Sequence, residues 1–361
     1  MSGNESGGTW YPPPGYQEQP PPAYAAPPPG PAQPYPAPQW SPPPGMLGAA
    51  HKPGAMPLRP LGLGDIYDAA FRIIRFNPRA TVGSAVLVAA VAMTVPVVIT
   101  SVLTWTVGLS FDDPNGDFTQ AEGLAAVTSV GSLVLGLVLQ YLGTILVTGM
   151  IARVTAAAAV GRRLSLGEAW AETRGKRWRL VGLTLLIGLA SFALFAAYTA
   201  LWVVVVVAGD ATTIVVFGLV TVPAFIALGV WLWVRYAYLP VPALMLEDVG
   251  VVGALGRAYR LTARQFWRTF GIALLTMVIV GVVGQVVSVP LSLIGQVVSL
   301  GLGPEYELLG LVVVQAATTV LVAAFVTPFQ TAVASVQYLD QRMRKEAYDV
   351  ELMARAGITA S

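Results

Sequence analysis

The 361-residue sequence contains no cysteine, a single histidine and only three lysines, and just 11% of its residues are charged. Without cysteine there are no disulfides, thiolate metal sites or cysteine nucleophiles. The one histidine, His51, lies in a Pro/Gly-rich stretch. It reads as a tail residue, so neither a histidine-based zinc site nor a Ser-His-Asp triad is expected. Soluble domains carry about 25% charged residues. With far less than that, and a mean hydropathy of +0.67, the chain has too little polar surface to stay in water as a globule. The composition is that of a membrane protein. Arginine outnumbers lysine 18 to 3, as in proteins from high-GC bacterial genomes.

Of the 28 prolines, 19 fall in residues 1–60. Proline fixes φ and removes an amide donor, so this segment is expected to be a disordered, polyproline II-rich tail. Aromatic residues are spaced through it, from Trp10 and Tyr11 to Tyr35 and Trp40. They suit docking to a protein partner with an aromatic-lined groove. The tail has no apolar stretch of the kind that marks a signal peptide.

Beyond residue 80 the pattern changes to long apolar runs. Six are long enough to cross about 30 Å of hydrocarbon, which takes about 20 helical residues. They are Thr81–Leu109, Leu124–Ala152, Leu180–Ala208, Ile214–Leu239, Thr269–Leu300 and Leu308–Ser335. Pro96, Pro223, Pro290 and Pro328 fall inside them as kinks that shape packing.

All 21 Lys and Arg residues lie in the N-terminal region, the 153–179 and 235–268 loops and the C-terminal tail. The alternate loops, 110–123, 209–213 and 301–307, hold none, and carry seven acids: Asp112, Asp113, Asp117, Glu122, Asp210, Glu305 and Glu307. Positive charge is retained on the cytoplasmic side. The distribution therefore predicts an even number of spans with both termini in the cytoplasm, in a bacterial inner membrane.

A segment of one design precedes the first, third and fifth spans. In the first copy, Asp65, Asp68, Arg72, Arg75 and Arg79 share one helical face, opposite Ile66, Tyr67, Ala70, Phe71, Ile73 and Ile74. The second copy runs from Gly167 to Arg179 and the third from Gly253 to Arg268. The pattern reads as a threefold repeat of amphipathic helix and membrane hairpin. Helices with arginines on one face and Trp, Phe and Ile on the other lie in the interface plane. The expected anionic-lipid contacts are Arg72, Arg75 and Arg79, then Arg174, Lys176, Arg177 and Arg179, then Arg257, Arg260, Arg264 and Arg268.

Little in the spans suggests chemistry. They carry no mid-membrane charge of the kind that ion-coupled transporters use. Arg235 is near a span end and can snorkel. Gln140, Gln285, Gln296 and Gln315 are neutral and suit interhelical hydrogen bonds. No phosphate-cradling glycine loop is present. Glu247 and Asp248 lack further ligands at metal spacing and are expected to serve a loop-and-cap role, and Arg342, Arg344 and Lys345 to form a basic flank.

Three segments nevertheless carry a resemblance: Arg59 to Asp68 running on to Asn77-Pro78; Arg235 to Gly250 running on to Phe266-Trp267-Arg268; and Tyr338-x-Asp340-x-Arg342-x-Arg344-Lys345-Glu346. Together, over roughly residues 58–350, the chain resembles the bacterial family labelled glycerophosphoryl diester phosphodiesterase membrane domain. The resemblance implies a six-span membrane domain without the hydrolase, because the catalytic barrel and its His and acidic metal ligands have no counterparts here.

The expected fold is an all-α polytopic membrane protein: six transmembrane helices as three hairpins, each preceded by a cytoplasmic interfacial helix, over residues 61–345. A disordered tail (1–60) precedes it and a cytoplasmic tail (346–361) follows. The leading functional expectation is a non-enzymatic scaffold or lipid-interacting domain. A transporter or exporter subunit comes next, and a lipid-modifying enzyme at the interface last. The expected partners are membrane lipids with anionic headgroups and a protein for the proline-rich tail. No cofactor, metal or nucleic acid is expected, and the sequence leaves the oligomeric state open.

Overall fold

The computed structural model describes residues 54–107, 120–355 and 357. The expectations for the rest of the proline-rich tail, for His51 and for the acids of the 110–119 loop lie outside the described residues. The described chain is all α-helix apart from turns and one π-helical segment, in the order α1 (Leu63–Phe76), α2 (Pro78–Val107), α3 (Gln120–Ala159), α4 (Leu166–Ala171), α5 (Arg177–Ala208), α6 (Ala211–Leu232), α7 (Pro240–Leu246), α8 (Val251–Thr262), α9 (Phe266–Gly301), α10 (Pro304–Glu346) and α11 (Tyr348–Arg355). Six of these are long and apolar enough to cross a membrane: α2, α3, α5, α6 with its continuation to Leu246, α9 and α10. Each coincides with one of the expected spans. The chain is a multi-pass membrane protein.

The basic ends of the helices gather together, and each hairpin enters through the same device: a short helix, a sharp corner, then a span. After α1 the corner is Asn77, with Pro78 as the first residue of α2, where a missing amide donor costs nothing. After α4 it is the turn at Gly175, whose φ of +81° favours glycine. After α8 it is Arg264, at φ +61°, a conformation disfavoured for a residue with a Cβ. The threefold plan is present, but unevenly. α1 has 14 residues and α8 has 12, whereas α4 has only six. The third copy is also broken before Phe266, which already belongs to α9.

The apolar faces of α1 and α8 are directed largely into protein. Ile66, Ala69, Ala70 and Ile73 of α1 and Ala254, Ala258 and Leu261 of α8 are buried in one core with residues of α3, α7, α9 and α10. The core also corrects the expected tail boundary. Ala55, Met56, Leu58 and Leu61 are buried in it, and the Ala55 amide donates to the Ala158 carbonyl at 2.8 Å. Gly54 lies so close to the end of α3 that a Cβ there would meet Ala158 O at 2.2 Å. Residues 54–61 therefore belong to the membrane domain, where the gain from burying Met56 and Leu61 outweighs the flexibility expected of a Pro/Gly-rich segment. The C-terminal segment is likewise no plain tail: α11 docks through buried Tyr348 and Leu352.

Within the membrane there is no hydrophobic drive for helices to associate, so close packing has to supply it. Gly143 lets α3 approach α2, since a Cβ there would come within 2.1 Å of Val88. Gly295 does the same between α9 and α10, against Val314 at 2.5 Å. α10 is the spine. Its 43 residues extend about 65 Å at 1.5 Å per residue, roughly twice the hydrocarbon thickness. Its basic half continues past the spans as the post around which α1, α8, α9 and α11 assemble.

Candidate functional site

Three constructions of polar groups stand out: a buried clamp, a basic cleft and a neutral groove. The clamp is at the basic end of α10. Asp340 has no exposed surface. Its carboxylate accepts the Leu61 amide at 2.7 Å and the Arg344 Nε at 3.0 Å, and it pairs with Arg268 from the first turn of α9. Both arginines donate back to the Leu61 carbonyl, Arg268 at 2.8 Å and Arg344 at 2.6 Å. The backbone of one residue, Leu61, is thus held at both its polar groups by one carboxylate and two guanidinium groups. Every charge has an opposite partner, as a buried ionic cluster requires.

A second carboxylate, Glu247 at the end of α7, gathers Arg257 of α8 at 2.8 Å, Arg342 of α10 at 3.3 Å and the Tyr338 hydroxyl. Arg257 and Arg342 also share Glu346. Burial works against the charge on Arg257, but its hydrogen bonds to Glu346 and Glu247 prevail and its pKa is raised. Lys345 closes the end of α8, donating to the carbonyls of Arg260 at 2.9 Å and Ala263 at 2.6 Å, as a cation at a helix C-terminus should. Lys176 turns inward to the carbonyls of Leu244 at 3.1 Å and of Glu247. Burial, and next the Arg153 charge, lower its pKa.

The expected lipid contacts therefore divide. Lys176, Arg257 and Arg268 are engaged within the protein. Arg177 stacks on Trp170 at 3.7 Å and donates to the Thr173 hydroxyl, and Arg72 pairs with Asp68 one turn away at 2.8 Å. Arg179 is 3.9 Å from an exposed Asp248. Arg75, Arg79, Arg174, Arg260 and Arg264 are exposed and form no ion pair among the described residues. Residues far apart in the sequence, around Leu61, Glu247 to Arg268 and Tyr338 to Glu346, thus meet in the clamp.

Beside α1 lies the cleft, of about 800 Å³, between α1, residues 54–55 and the turn after α3. Arg72, Arg75 and Arg163 line it, with Asp68, Phe71 and Phe76. Arg163 is held over the Phe76 ring at 4.4 Å. The sequence reading did not single out Arg163, since it is part of no amphipathic repeat; its adjacency to Arg162 within the basic 153–179 loop was the available signal.

The groove is inside the spans. About 590 Å³ in volume, it is bounded by Gln140 of α3, by Gly281, Gln285 and Ser288 of α9 and by Gln315, Thr318 and Gln330 of α10. A smaller cavity of about 220 Å³ shares Thr327 and Gln330 with it and reaches Thr144, Thr148 and Tyr238. Of the mid-span glutamines, Gln140, Gln285 and Gln315 meet here. Among the described residues no group of three or more His, Asp or Glu side chains is placed to hold a metal ion.

Six spans, an ionic clamp at one end and a neutral groove within the membrane define a multi-pass helical membrane protein. The sequence matches the family described as "Domain of unknown function (DUF7847)" over residues 69–338, and the chain belongs to that family. No curated protein matches it, and no solved structure does.

Proposed function

We propose that the chain is a non-catalytic, lipid-interacting domain of a bacterial plasma membrane, oriented with its basic end and both termini in the cytoplasm and holding anionic headgroups against that end. The observation that carries this reading is the cleft lined by Arg72, Arg75 and Arg163. Three arginines lining one cleft, with a single carboxylate, Asp68, among them, suit a phosphate, which arginine binds through paired hydrogen bonds. Exposed Arg79 continues the basic surface at the start of α2. The orientation is supported by the separation of charge between the two ends of the bundle.

The test is lipid retention by the full chain. The protein is reconstituted in nanodiscs of phosphatidylcholine with a minor share of phosphatidylglycerol, re-extracted, and its bound lipid weighed by native mass spectrometry. Phosphatidylglycerol is expected to be enriched over its input, and the enrichment to disappear in Arg75→Gln/Arg163→Gln. Bound lipid that mirrors the input in the unmodified protein sinks the proposal.

A transport role is the second reading, favoured by the groove between α3, α9 and α10. Release of a trapped solute from proteoliposomes, dependent on Gln140 and Gln315, would support it over a purely lipid-holding role.

A further inference from the structure

The groove presents hydrogen-bonding groups to the membrane interior with no formal charge among its lining side chains. Coulombic recognition is therefore absent, and an ionic ligand would arrive without a counter-charge in a low-dielectric medium. The lining is mostly apolar, with Gln140, Gln285, Gln315 and Thr318 set among aliphatic residues such as Val280 and Val322. In the adjoining smaller cavity Thr144 and Thr148 donate their hydroxyl protons back to the carbonyls of Gln140 and Thr144, both at 2.7 Å, and in the groove itself Thr318 donates to the Val314 carbonyl at 2.8 Å. With their protons committed to the helix, these hydroxyls keep their lone pairs available as acceptors. Of the buried atoms without a hydrogen-bond partner among the described residues, one lies at the groove, the Gln140 Oε1, and one at the neighbouring cavity's edge, the Tyr238 hydroxyl. Leaving such groups unpaired costs about 1–3 kcal/mol each, and lipid tails cannot satisfy them.

The mouth is lateral. Gln285 and Gln315 are exposed on the flank of α9 and α10, among apolar surface that includes Val282, Val286 and Leu311. Whatever reaches the groove through that side comes from the bilayer. Small residues, Gly281, Gly284 and Ser288, keep the wall open, and a Cβ at Gly281 would meet nothing within 4 Å.

We infer that this groove binds the uncharged, hydroxyl-bearing headgroup of an amphiphile, a glycosyl or glycerol lipid, whose hydroxyls donate to Gln140 Oε1 and the threonine lone pairs and accept from the glutamine amides. The site is separate from the arginine cleft, and the inference stands or falls independently of it.

The experiment is thermal unfolding of the full chain in phosphatidylcholine nanodiscs. Monogalactosyl diacylglycerol, phosphatidylglycerol or nothing is included, and free galactose is added in a further arm. The galactolipid is expected to raise the midpoint above both lipid controls. Gln140→Leu should weaken its apparent affinity roughly tenfold, as loss of about one hydrogen bond predicts. Gly281→Leu, which adds a side chain to the groove wall at a position where a Cβ meets nothing within 4 Å, should abolish the shift while the protein still unfolds cooperatively. A galactolipid shift no larger than that of phosphatidylglycerol overturns the inference. So does one that survives in Gly281→Leu, or one that free galactose reproduces. An arginine-cleft variant, Arg75→Gln/Arg163→Gln, should keep the galactolipid shift, so that failure of one site is not mistaken for failure of the other.

Discussion

The ionic clamp at the basic end and the groove within the spans use polar residues in opposite ways. At the basic end Asp340, Glu247, Arg257, Arg268, Arg342 and Arg344 are closed into pairs, each carboxylate meeting at least two cations. In the spans, Gln140 and its neighbours line an open groove, with one acceptor unpaired. A saturated network offers nothing to a ligand and serves assembly. An unsaturated one is poor for stability and able to receive. The contrast extends to packing. α10 is buried along its basic half, whereas α6 has no buried residue at all and meets α5 through the Tyr198–Phe225 stack and the contact of the Tyr198 and Thr221 hydroxyls.

The sharpest way to break this comparison is to open the clamp. In Asp340→Ala, Arg268 and Arg344 lose their common carboxylate and the Leu61 amide its acceptor. Breaking a buried ion pair by removing one partner costs about 3–5 kcal/mol. Unfolding of the detergent-solubilised protein should therefore move markedly to lower temperature, and the segment around Met56 and Leu61 should become accessible to protease. A loss below about 1 kcal/mol would mean that the clamp is not what joins the lead-in segment to α10.

The same measurement on the groove should change sign. Gln315 is exposed to lipid on α10 and makes one long side-chain contact, to Thr319 at 3.4 Å. Gln315→Leu removes a polar group from hydrocarbon and should leave stability unchanged or raise it by about 1 kcal/mol. Marked destabilisation by Gln315→Leu would show that the groove is as structural as the clamp and erase the distinction.

Much of this plan was legible beforehand, and the reasons differ by element. The spans follow from transfer energetics, which act on about 20 residues at once, and their common basic end follows from charge placement. What lay beyond reach depends on single contacts. Asp340 reads as one acid in a basic flank, and only the fold brings Leu61 and Arg268 to it. Met56 lies in a proline-rich context that argues for disorder, and its burial depends on Gly54 meeting the end of α3. The π-helical turn at Trp233–Ala237, where the Tyr238 amide reaches the Trp233 carbonyl, has no hydropathy signature. The amphipathic repeats were readable as faces, but not as to what covers them. Ile66 and Ala254 turn out to meet protein, and that removes Arg257 and Arg268 from the lipid surface as well.

Lys176 sharpens the comparison through pH, with a smaller effect. Its folded pKa is below its ordinary value of 10.5, from burial first and the Arg153 charge second. Between the folded pKa and 10.5 the unfolded chain binds more protons, so stability contributed at this site rises with pH through that window. The difference in stability between the native protein and Lys176→Met should therefore shift in favour of the native protein as pH is raised toward 10.5. A difference independent of pH would mean that the ammonium group is as well solvated in the fold as outside it.

The smallest effect tests whether proximity of charge is enough to count as part of the clamp. Asp248 follows Glu247 directly and faces Arg179 at 3.9 Å, but its side chain is 95% exposed and Arg179 is half exposed. An ion pair in water gains little and is screened by salt, so its contribution is typically about 0–1 kcal/mol. Asp248→Ala should leave the unfolding temperature unchanged, while Glu247→Ala, which strips Arg257, Arg342 and Tyr338 of a shared acceptor, should lower it clearly. Adjacent acids in sequence would then differ in effect because one points into the assembled ends of α7, α8 and α10 and the other into solvent. Equal losses from the two variants would instead assign the stability to the net negative charge of the loop, and the paired geometry around Glu247 would have no special role.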